Sequence, residues 1–307
     1  MALSIGIDVG GTNIRFGVFK QTQLIDEVRL ESNMSKLCGE LLPERASYEI
    51  VRILSSGIIS IIEKNHTIQS VGIGFPGFIH PDSKKIVSSP NLPGLCYFNL
   101  AGELSRILGM PFTLENDANA AAYGEYILAG KPEGGLIYIG LGTGVGGGLV
   151  LNGNIFPGQH GCAMEVGHMI IESNGRLCGC GNRGCMEQYA SASGIAISYF
   201  NVTNKHCTAA QIAEFANLGD KDAIAAYMLA ANALAQTLAS VVKVLDVKNV
   251  VIGGGVTAAW PLMKQTFTQR FEADLISVLR STIPIKISNA NDKAGMLGAA
   301  MLSMESS

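Results

Sequence analysis

The sequence predicts an α/β protein built from two related domains. Strand patterns alternate with helix patterns along the chain, and a unit of strand, glycine turn and strand occurs twice, at residues 4–20 and 137–153. In this repeat Gly10 corresponds to Gly142, and Thr12 to Gly144. With 307 residues, of which 48% are hydrophobic, the chain can form two cores. We therefore expect two α/β sheets that flank a central cleft.

The elements between and after the repeats are predicted from periodicity and helix-end signals. Asn116 and Asp117 stand at a helix cap, and Gly130 with Pro132 ends the alanine-rich helix that follows. Buried strands are expected at residues 71–75 and 248–253. Amphipathic spacing predicts further helices over residues 48–65, 101–108, 209–218, 222–245 and 293–304. The expected domains are a small one of residues 1–117 closed by residues 291–307, and a large one of residues 118–290.

Composition and charge exclude several classes of protein. The first residues, MALSIGIDVGG, lead directly into a strand without a secretion signal, so we expect a cytoplasmic protein with reduced thiols. A net charge of −3 with dispersed Lys and Arg does not indicate a nucleic-acid partner. Apolar runs are broken by Gly, Ser or charge, which argues against a membrane partner. The expected partner is a small molecule.

The two glycine turns are candidate phosphate sites. Residues 142–147, GTGVGG, match the dinucleotide fingerprint, but a strand follows them where that fingerprint requires a helix, which argues against a nicotinamide oxidoreductase. Each turn offers backbone N–H groups and a hydroxyl, Thr12 or Thr143, to polyphosphate oxygens. Ordinary hairpin turns are the alternative. Asp8 favours the phosphate interpretation, because a carboxylate ending an apolar strand is costly unless it holds a cation such as hydrated Mg²⁺.

Four segments together resemble the ROK family of sugar kinases and transcriptional repressors: DVGGTNIRFG, GTGVGGG, EVGH and CGCGNRGCMEQYAS. The resemblance covers essentially the whole chain and implies two actin-like ATPase (ribonuclease H-like) domains. It also implies ATP-dependent phosphorylation of a hexose, with Mg²⁺, by an enzyme that is often a homodimer. Repressors of the family carry a DNA-binding segment before the first strand, whereas that strand begins within five residues of Met1 here, which favours the kinase.

A cysteine-rich segment predicts a structural zinc site. Three thiolates and one imidazole suit tetrahedral Zn²⁺, and the spacing H-x9-C-x-C-x4-C supplies them as His168, Cys178, Cys180 and Cys185. A disulfide is disfavoured in a reducing compartment, and a redox pair would more usually be C-x-x-C. In this interpretation the zinc orders Glu165 and Glu187 and takes no part in the reaction.

The resemblance assigns roles to residues at matching positions. Asp117 matches the general base; from the sequence alone it could equally be a helix cap. Asn91, Asn116, Glu165, His168 and Glu187 match sugar-binding positions, and Gly77 could let the backbone approach the sugar. The phosphate-binding positions are Gly10, Gly11, Thr12, Asn13, Gly142, Thr143 and Gly144, whereas Gly253, Gly254 and Gly255 would lie near adenosine.

Two positions depart from the family pattern. Asn13 stands where many members have Lys or Arg; Arg15, on the same strand face, could compensate or form a surface ion pair. Met164 stands where Gly is common. The PNLPG, ENDANAAAYGEY and GCGNRGCMEQYAS segments are most similar to the glucokinase branch, so we expect phosphorylation of the 6-hydroxyl of glucose. Allose, mannose and N-acetylmannosamine remain open as substrates, as does a sugar-sensing regulator without turnover.

Overall fold

The computed structural model describes residues 3–65, 67–290 and 293–305. The strands are β1 (Leu3–Val9), β2 (Asn13–Lys20), β3 (Gln23–Glu31), β4 (Ile68–Phe75), β5 (Phe78–Ile79), β6 (Ile86–Ser88), β7 (Cys96–Phe98), β8 (Phe112–Asn116), β9 (Leu136–Leu141), β10 (Val145–Leu151), β11 (Asn154–Ile155), β12 (Val250–Gly253) and β13 (Ile285–Ile287). The helices are α1 (Met34–Glu40), α2 (Pro43–Lys64), α3 (Leu100–Leu108), α4 (Asp117–Leu128), α5 (Glu187–Ala190), α6 (Ala192–Thr203), α7 (Ala209–Asn217), α8 (Lys221–Leu245), α9 (Trp260–Asp274) and α10 (Lys293–Glu305).

These elements form two compact units, and one of the passages of the chain between them lies within β10. The described residues of the first unit are those up to 133, residues 148–163 and residues 293–305; the second contains residues 134–147 and 164–290. Their limits differ from the expected boundary at residue 117, because α4 belongs to the first unit. Its Gly124 packs so closely on Ala294 of α10 that a methyl group would collide with the Ala294 carbonyl.

The first unit is built on the sheet β3-β2-β1-β4-β8. β1 to β3 pair antiparallel, and β4 and β8 extend the sheet in parallel. Helix α10 lies on one face, where Gly6 and Gly72 have no side chain to separate the sheet from the helix backbone. The other face is closed by α2, whose Gly57 lies against the ring of Phe16. Strands β5, β6 and β7 form a separate three-stranded sheet.

The second sheet has the order β11-β10-β9-β12-β13. Position by position it repeats the first sheet, with a hairpin at one end and parallel strands at the other. This common order is the physical basis of the sequence repeat, and the predicted α/β architecture of two related domains is confirmed. The predicted helices are present, although α2 begins at Pro43 rather than Tyr48, because proline suits the first helical position. Sequence periodicity did not predict α6, α9 or the short strands β5 to β7.

Helix α8 is the one described helix that is long and apolar enough to cross a membrane by length and composition alone. Its packing accounts for that composition. Ala-rich positions along it are buried, and it contacts the helices α5, α6, α7 and α9 of its own unit. Core helices of globular proteins commonly have this composition.

Candidate active site

The first glycine turn joins β1 to β2 and is held by backbone hydrogen bonds. The Gly10 N–H donates to the Asn13 carbonyl at 2.9 Å. The N–H groups of Ser32 and Asn33 donate to the Thr12 carbonyl at 2.9 and 3.2 Å, so the segment entering α1 supports the turn. The predicted phosphate residues 10–13 therefore occupy one tight and supported loop.

Two carboxylates meet beside this turn. Gly74 of β4 lies between them. It is opposite Asp8 in the parallel pairing of β1 with β4, and a methyl group on it would be 3.6 Å from the Asp117 Cα atom. Burial raises the pKa of Asp8 to about 6; the Asp117 carboxylate adds to the increase and Arg15 opposes it. Burial also raises the pKa of Asp117. The hydrogen bond that its Oδ1 accepts from the Ala118 N–H at 2.8 Å lowers this pKa, but by less than burial raises it. Such a pair resists full ionisation without a cation.

The junction of β8 and α4 separates the roles of Asn116 and Asp117. Asn116 is the helix cap, and its Oδ1 accepts the Asn119 N–H at 3.0 Å. Asp117 is the first helical residue and is not the cap, so its side chain is available for another function. The Asn116 amide also donates to the Gly77 carbonyl at 3.0 Å, which ties the predicted sugar-binding loop to this junction. Gly77 has φ 147°, a conformation that favours glycine.

Asn91 lies in the exposed turn between β6 and β7. Lys84 lies in the loop between β5 and β6, and its ammonium group is 3.5 Å from the carboxylate of buried Glu115. Glu115 Oε1 also accepts from the Asn116 N–H and the Asn119 amide, each at 3.0 Å. Sequence reasoning missed this pair, since Lys84 and Glu115 are far apart in the chain; a carboxylate at the end of a buried strand was the available signal.

The second glycine turn is supported by side chains from α5 and α6. Glu187 Oε2 accepts the Val145 N–H at 2.9 Å, and the Ser193 hydroxyl donates to the Thr143 carbonyl at 2.9 Å. A methyl group on Gly144 would lie 2.5 Å from Glu187 Oε2, whereas one on Gly142 would have its nearest neighbour at 3.9 Å. Glu187, predicted to bind sugar, thus also positions the predicted phosphate turn.

The four predicted zinc ligands converge in the second unit. One donor atom from each of His168, Cys178, Cys180 and Cys185 lies within 4.8 Å of the others. The sulfurs of Cys180 and Cys185 are 3.6 Å apart. Tetrahedral bonds of about 2.3 Å would separate two sulfurs by about 3.8 Å, whereas a disulfide needs about 2.05 Å. The donor set therefore fits zinc and excludes a disulfide.

Protonation and hydrogen bonding in the cluster also suit a metal. The Nδ1 atom of His168 lies 3.6 Å from the Cys178 sulfur, and its Nε2 lies 3.8 Å from Glu165 Oε2. Burial and the neighbouring thiols raise the pKa of Cys185 to about 12, whereas the Asn182 N–H lowers that of Cys180. A bound metal would hold both thiols deprotonated, whatever their pKa values in the free protein.

Arg176 fixes the cysteine-rich loop on the helices behind it. Its guanidinium donates to the carbonyls of Gln188 and Gly194 at 2.6 and 3.1 Å, and it lies 4.5 Å from the ring centre of Tyr189. Sequence analysis did not single out this residue. The only available signal was its position within the cysteine segment.

The third glycine segment has a packing explanation. A methyl group on Gly253 would approach the Tyr138 hydroxyl at 2.8 Å, and Gly254, with φ 87°, passes close to the Leu141 backbone. Both glycines allow β12 to lie close to β9. The 3-10 helix at Gly255–Ala259 contacts α7, which lines a cavity of about 540 Å³ in the same unit. Ser193, Ile197, Phe200 and Thr208 are among its lining residues.

Comparison with known proteins decides the family. The ROK family model matches residues 4–306. The chain belongs to the ROK family. A glucokinase of Halalkalibacterium halodurans is 32% identical over 97% of this chain and 94% of its own, and an N-acetylmannosamine kinase of Citrobacter koseri is 30% identical over 97% and 98%. The ROK family glucokinase of Streptomyces griseus, solved with glucose and AMPPNP, has a TM-score of 0.82 at 29% identity and covers 99% of this chain and 100% of its own. The chain is accordingly a glucokinase-like ROK sugar kinase that uses ATP, and the predicted two-domain actin-like architecture is confirmed.

Proposed function

We propose that this ROK kinase transfers the γ-phosphoryl group of ATP to the 6-hydroxyl of an aldohexose, with glucose as the preferred acceptor. The observation that carries the reaction is Asp117: a half-buried carboxylate at a helix start, close enough to Asp8 to raise its pKa, and beside a glycine turn. Glucose is proposed because the glucokinase relative is 32% identical to this chain, against 30% for the N-acetylmannosamine kinase.

Asp117 would act as the general base. Its pKa is raised by burial, which brings the carboxylate closer to the proton affinity that a base needs near neutral pH. It would accept the proton of the 6-hydroxyl as that oxygen attacks the γ-phosphorus in line. Because Asn116 serves as the cap, the Asp117 carboxylate is not needed to begin the helix.

The phosphates would be bound by the two glycine turns. Residues 10–13 and 142–144 would form the two phosphate loops. The Gly10 and Gly142 N–H groups close these loops, and the remaining backbone N–H groups would be offered to the phosphate oxygens. Asp8 would hold hydrated Mg²⁺, whose charge offsets that of the phosphates. The raised pKa of Asp8 supports this role, because a nearby divalent cation would favour its ionised form.

The sugar would be bound by groups that the zinc cluster orders. His168, Cys178, Cys180 and Cys185 would hold a structural Zn²⁺, which supplies rigidity and no reaction step. Glu165, His168 and Glu187 would then hydrogen-bond the sugar hydroxyls from the second unit. Asn91, Asn116 and the Gly77 backbone are the sugar-binding groups proposed in the first unit. The 3.8 Å approach of His168 to Glu165 supports a common orientation of these two side chains.

Adenosine would enter the cavity between α6 and α7. Ser193 lines this cavity and hydrogen-bonds Thr143 of the phosphate turn, so a nucleotide with its phosphates at the turn could reach it with its base. The 3-10 helix that begins at Gly255 contacts α7, and this contact supports a place for residues 253–255 near the adenosine.

ADP release with Mg-ATP tests this function directly. Purified zinc-loaded protein would be assayed with glucose, mannose, allose, fructose, N-acetylglucosamine and N-acetylmannosamine. We expect sugar-dependent turnover with the highest kcat/KM for glucose. Binding of sugars without turnover would instead identify the sugar-sensing regulator, and the proposed reaction would be abandoned.

N-acetylmannosamine kinase is the second candidate, because a relative of that activity is 30% identical over nearly the whole chain. The same panel separates the two, since an acetamido group must fit where glucose has a hydroxyl.

The cytoplasmic location and the homodimer expected from the sequence stay predictions. Sedimentation of the purified protein at micromolar concentration would test the dimer.

A further inference from the structure

The phosphate turn of the first unit lacks a positive charge. Gly10, Gly11, Thr12 and Asn13 are all neutral, whereas phosphoryl-transfer enzymes commonly place a cationic side chain on the nucleotide phosphates. We propose that Arg29 of β3 is the cation of this turn and contacts a nucleotide phosphate through its guanidinium. This inference rests on the proposed kinase function.

The position of Arg29 is fixed by strand pairing and by one hydrogen bond. In the antiparallel β2–β3 pair, Arg29 lies directly opposite Arg15, and Glu31 opposite Asn13. The Arg29 Nε donates to Asn13 Oδ1 at 3.3 Å, which places the guanidinium at the last residue of the turn. An arginine has five N–H donors and this bond uses one, so others remain for a phosphate.

The neighbouring arginine has a different role. Arg15 lies opposite Asp8 in the β1–β2 pair and opposes the increase in the Asp8 pKa. The geometry therefore favours an interaction of Arg15 with Asp8, which is neither the phosphate contact nor the surface ion pair expected from the sequence. Arg29 is exposed and is bonded to the turn itself, which makes it the better placed of the two to meet the triphosphate.

Arg15 and Arg29 place two positive charges directly opposite each other on neighbouring strands. Like charges directly opposite on a sheet are destabilising, so this arrangement needs compensation. Asp8 compensates Arg15 from the adjoining strand. Glu27 and Glu31 flank Arg29 on its own strand and provide the competing explanation, a solvated ladder of surface charges. A phosphate contact predicts a specific effect on nucleotide binding, whereas a surface ladder predicts none.

The decisive variants are Arg29→Ala and the double variant Arg29→Ala with Asn13→Lys. Losing a charge-assisted hydrogen bond should raise the KM for ATP about tenfold, with the KM for the sugar unchanged. Lysine at position 13 would return a positive charge to the turn, so the double variant should recover most of the ATP affinity. Arg45→Ala, which removes an exposed arginine of α2 in the same unit, is the matched control and should leave both KM values unchanged.

The outcomes separate this inference from the proposed function. An unchanged KM for ATP in Arg29→Ala would overturn the inference, and so would equal increases in both KM values with a lowered melting temperature. Wild-type protein without sugar-dependent turnover would instead contradict the kinase function. In that case calorimetric ADP affinity of wild type and Arg29→Ala still decides the role of Arg29: about tenfold weaker binding supports it, and equal binding refutes it.

Discussion

The two glycine turns share a sequence pattern but differ in what surrounds them. The turn at residues 10–13 is bonded to the backbone that enters α1, and charged side chains accompany it: Asp8 on β1, Arg15 on β2 and Arg29 on β3. The turn at residues 142–144 is supported by Glu187 and Ser193, side chains that begin α5 and α6. The repeated unit therefore determines the loop shape, while the elements packed behind each loop determine its chemistry.

This difference divides the proposed reaction between the two units. The first unit contains the carboxylates with raised pKa values, which suit proton and Mg²⁺ chemistry. In the second, Glu187 joins the proposed phosphate turn to a helix that begins two residues after Cys185, one of the proposed zinc ligands. Loss of a first-unit charge should therefore reduce turnover, and loss of the metal cluster should reduce binding.

The largest effect is expected from Asp117→Asn. Removal of the proposed base should lower kcat about 10²- to 10⁴-fold, while glucose affinity measured by calorimetry changes little, because Asn keeps the size and a polar atom. Asn116 remains the cap in this variant, and burial disfavours the charged form of Asp117, so the melting temperature at neutral pH should not fall. A kcat within about twofold of wild type would remove Asp117 from the reaction.

Cys180→Ser tests the second unit. Zinc content measured by atomic absorption should fall to background and the KM for glucose should rise more than tenfold, because Glu165 and Glu187 lose their ordered support. Cys96→Ser, at an exposed thiol outside the cluster, is the matched control and should retain zinc and activity. Normal glucose binding by the metal-free variant would show that the cluster does not order the sugar site.

Asp8 should make stability depend on pH in the protein without Mg²⁺ or nucleotide. Its folded pKa, about 6, exceeds its ordinary value of 3.8, so its stabilising contribution is present below pH 3.8 and lost as the pH rises through 6. Asp8→Asn should therefore be more stable than wild type at pH 8, by up to about 3 kcal/mol, with a smaller difference at pH 4. Urea unfolding at the two pH values measures this. A difference that does not change with pH would contradict the assignment.

Adding a methyl group at either end of the second glycine turn, at Gly142 or at Gly144, should have different effects. Gly144→Ala would push on the Glu187 carboxylate and should raise the KM values for both ATP and glucose severalfold. Gly142→Ala meets only ordinary contacts and should behave nearly as wild type. Equal effects of the two substitutions would mean that Glu187 does not couple the turn to the sugar site.

The smallest effect concerns Met164, which has φ 63° where the family commonly has glycine. Met164→Gly relieves a left-handed backbone at the cost of a more flexible unfolded chain, so a gain of about 0.5–1 kcal/mol is expected. Met164→Ala keeps the strain and is the control. Thermal unfolding would contradict this account if the glycine variant melted no higher than the alanine variant.

The sequence predicted features that are local or repeated. Both glycine turns, the cysteine spacing and the helix start at Asn116 have short-range patterns, and the structure contains each of them. Glu115 with Lys84, Arg29 with Asn13, and Glu187 with Val145 are contacts between distant parts of the chain. No local pattern encodes such pairs, because strand register and helix packing bring them together. The start of α4 shows a further limit of sequence-based prediction. Asn and Asp both suit a helix cap, and only the backbone geometry shows that Asn116, and not Asp117, is the cap.

The most direct test of the account is the identity of the product. Proton and phosphorus NMR of a reaction with wild-type protein, Mg-ATP and glucose would show where the phosphoryl group is attached. The account predicts phosphate on the 6-hydroxyl, formed in equal amount to ADP. ADP without a sugar phosphate, or phosphate at another hydroxyl, would contradict it.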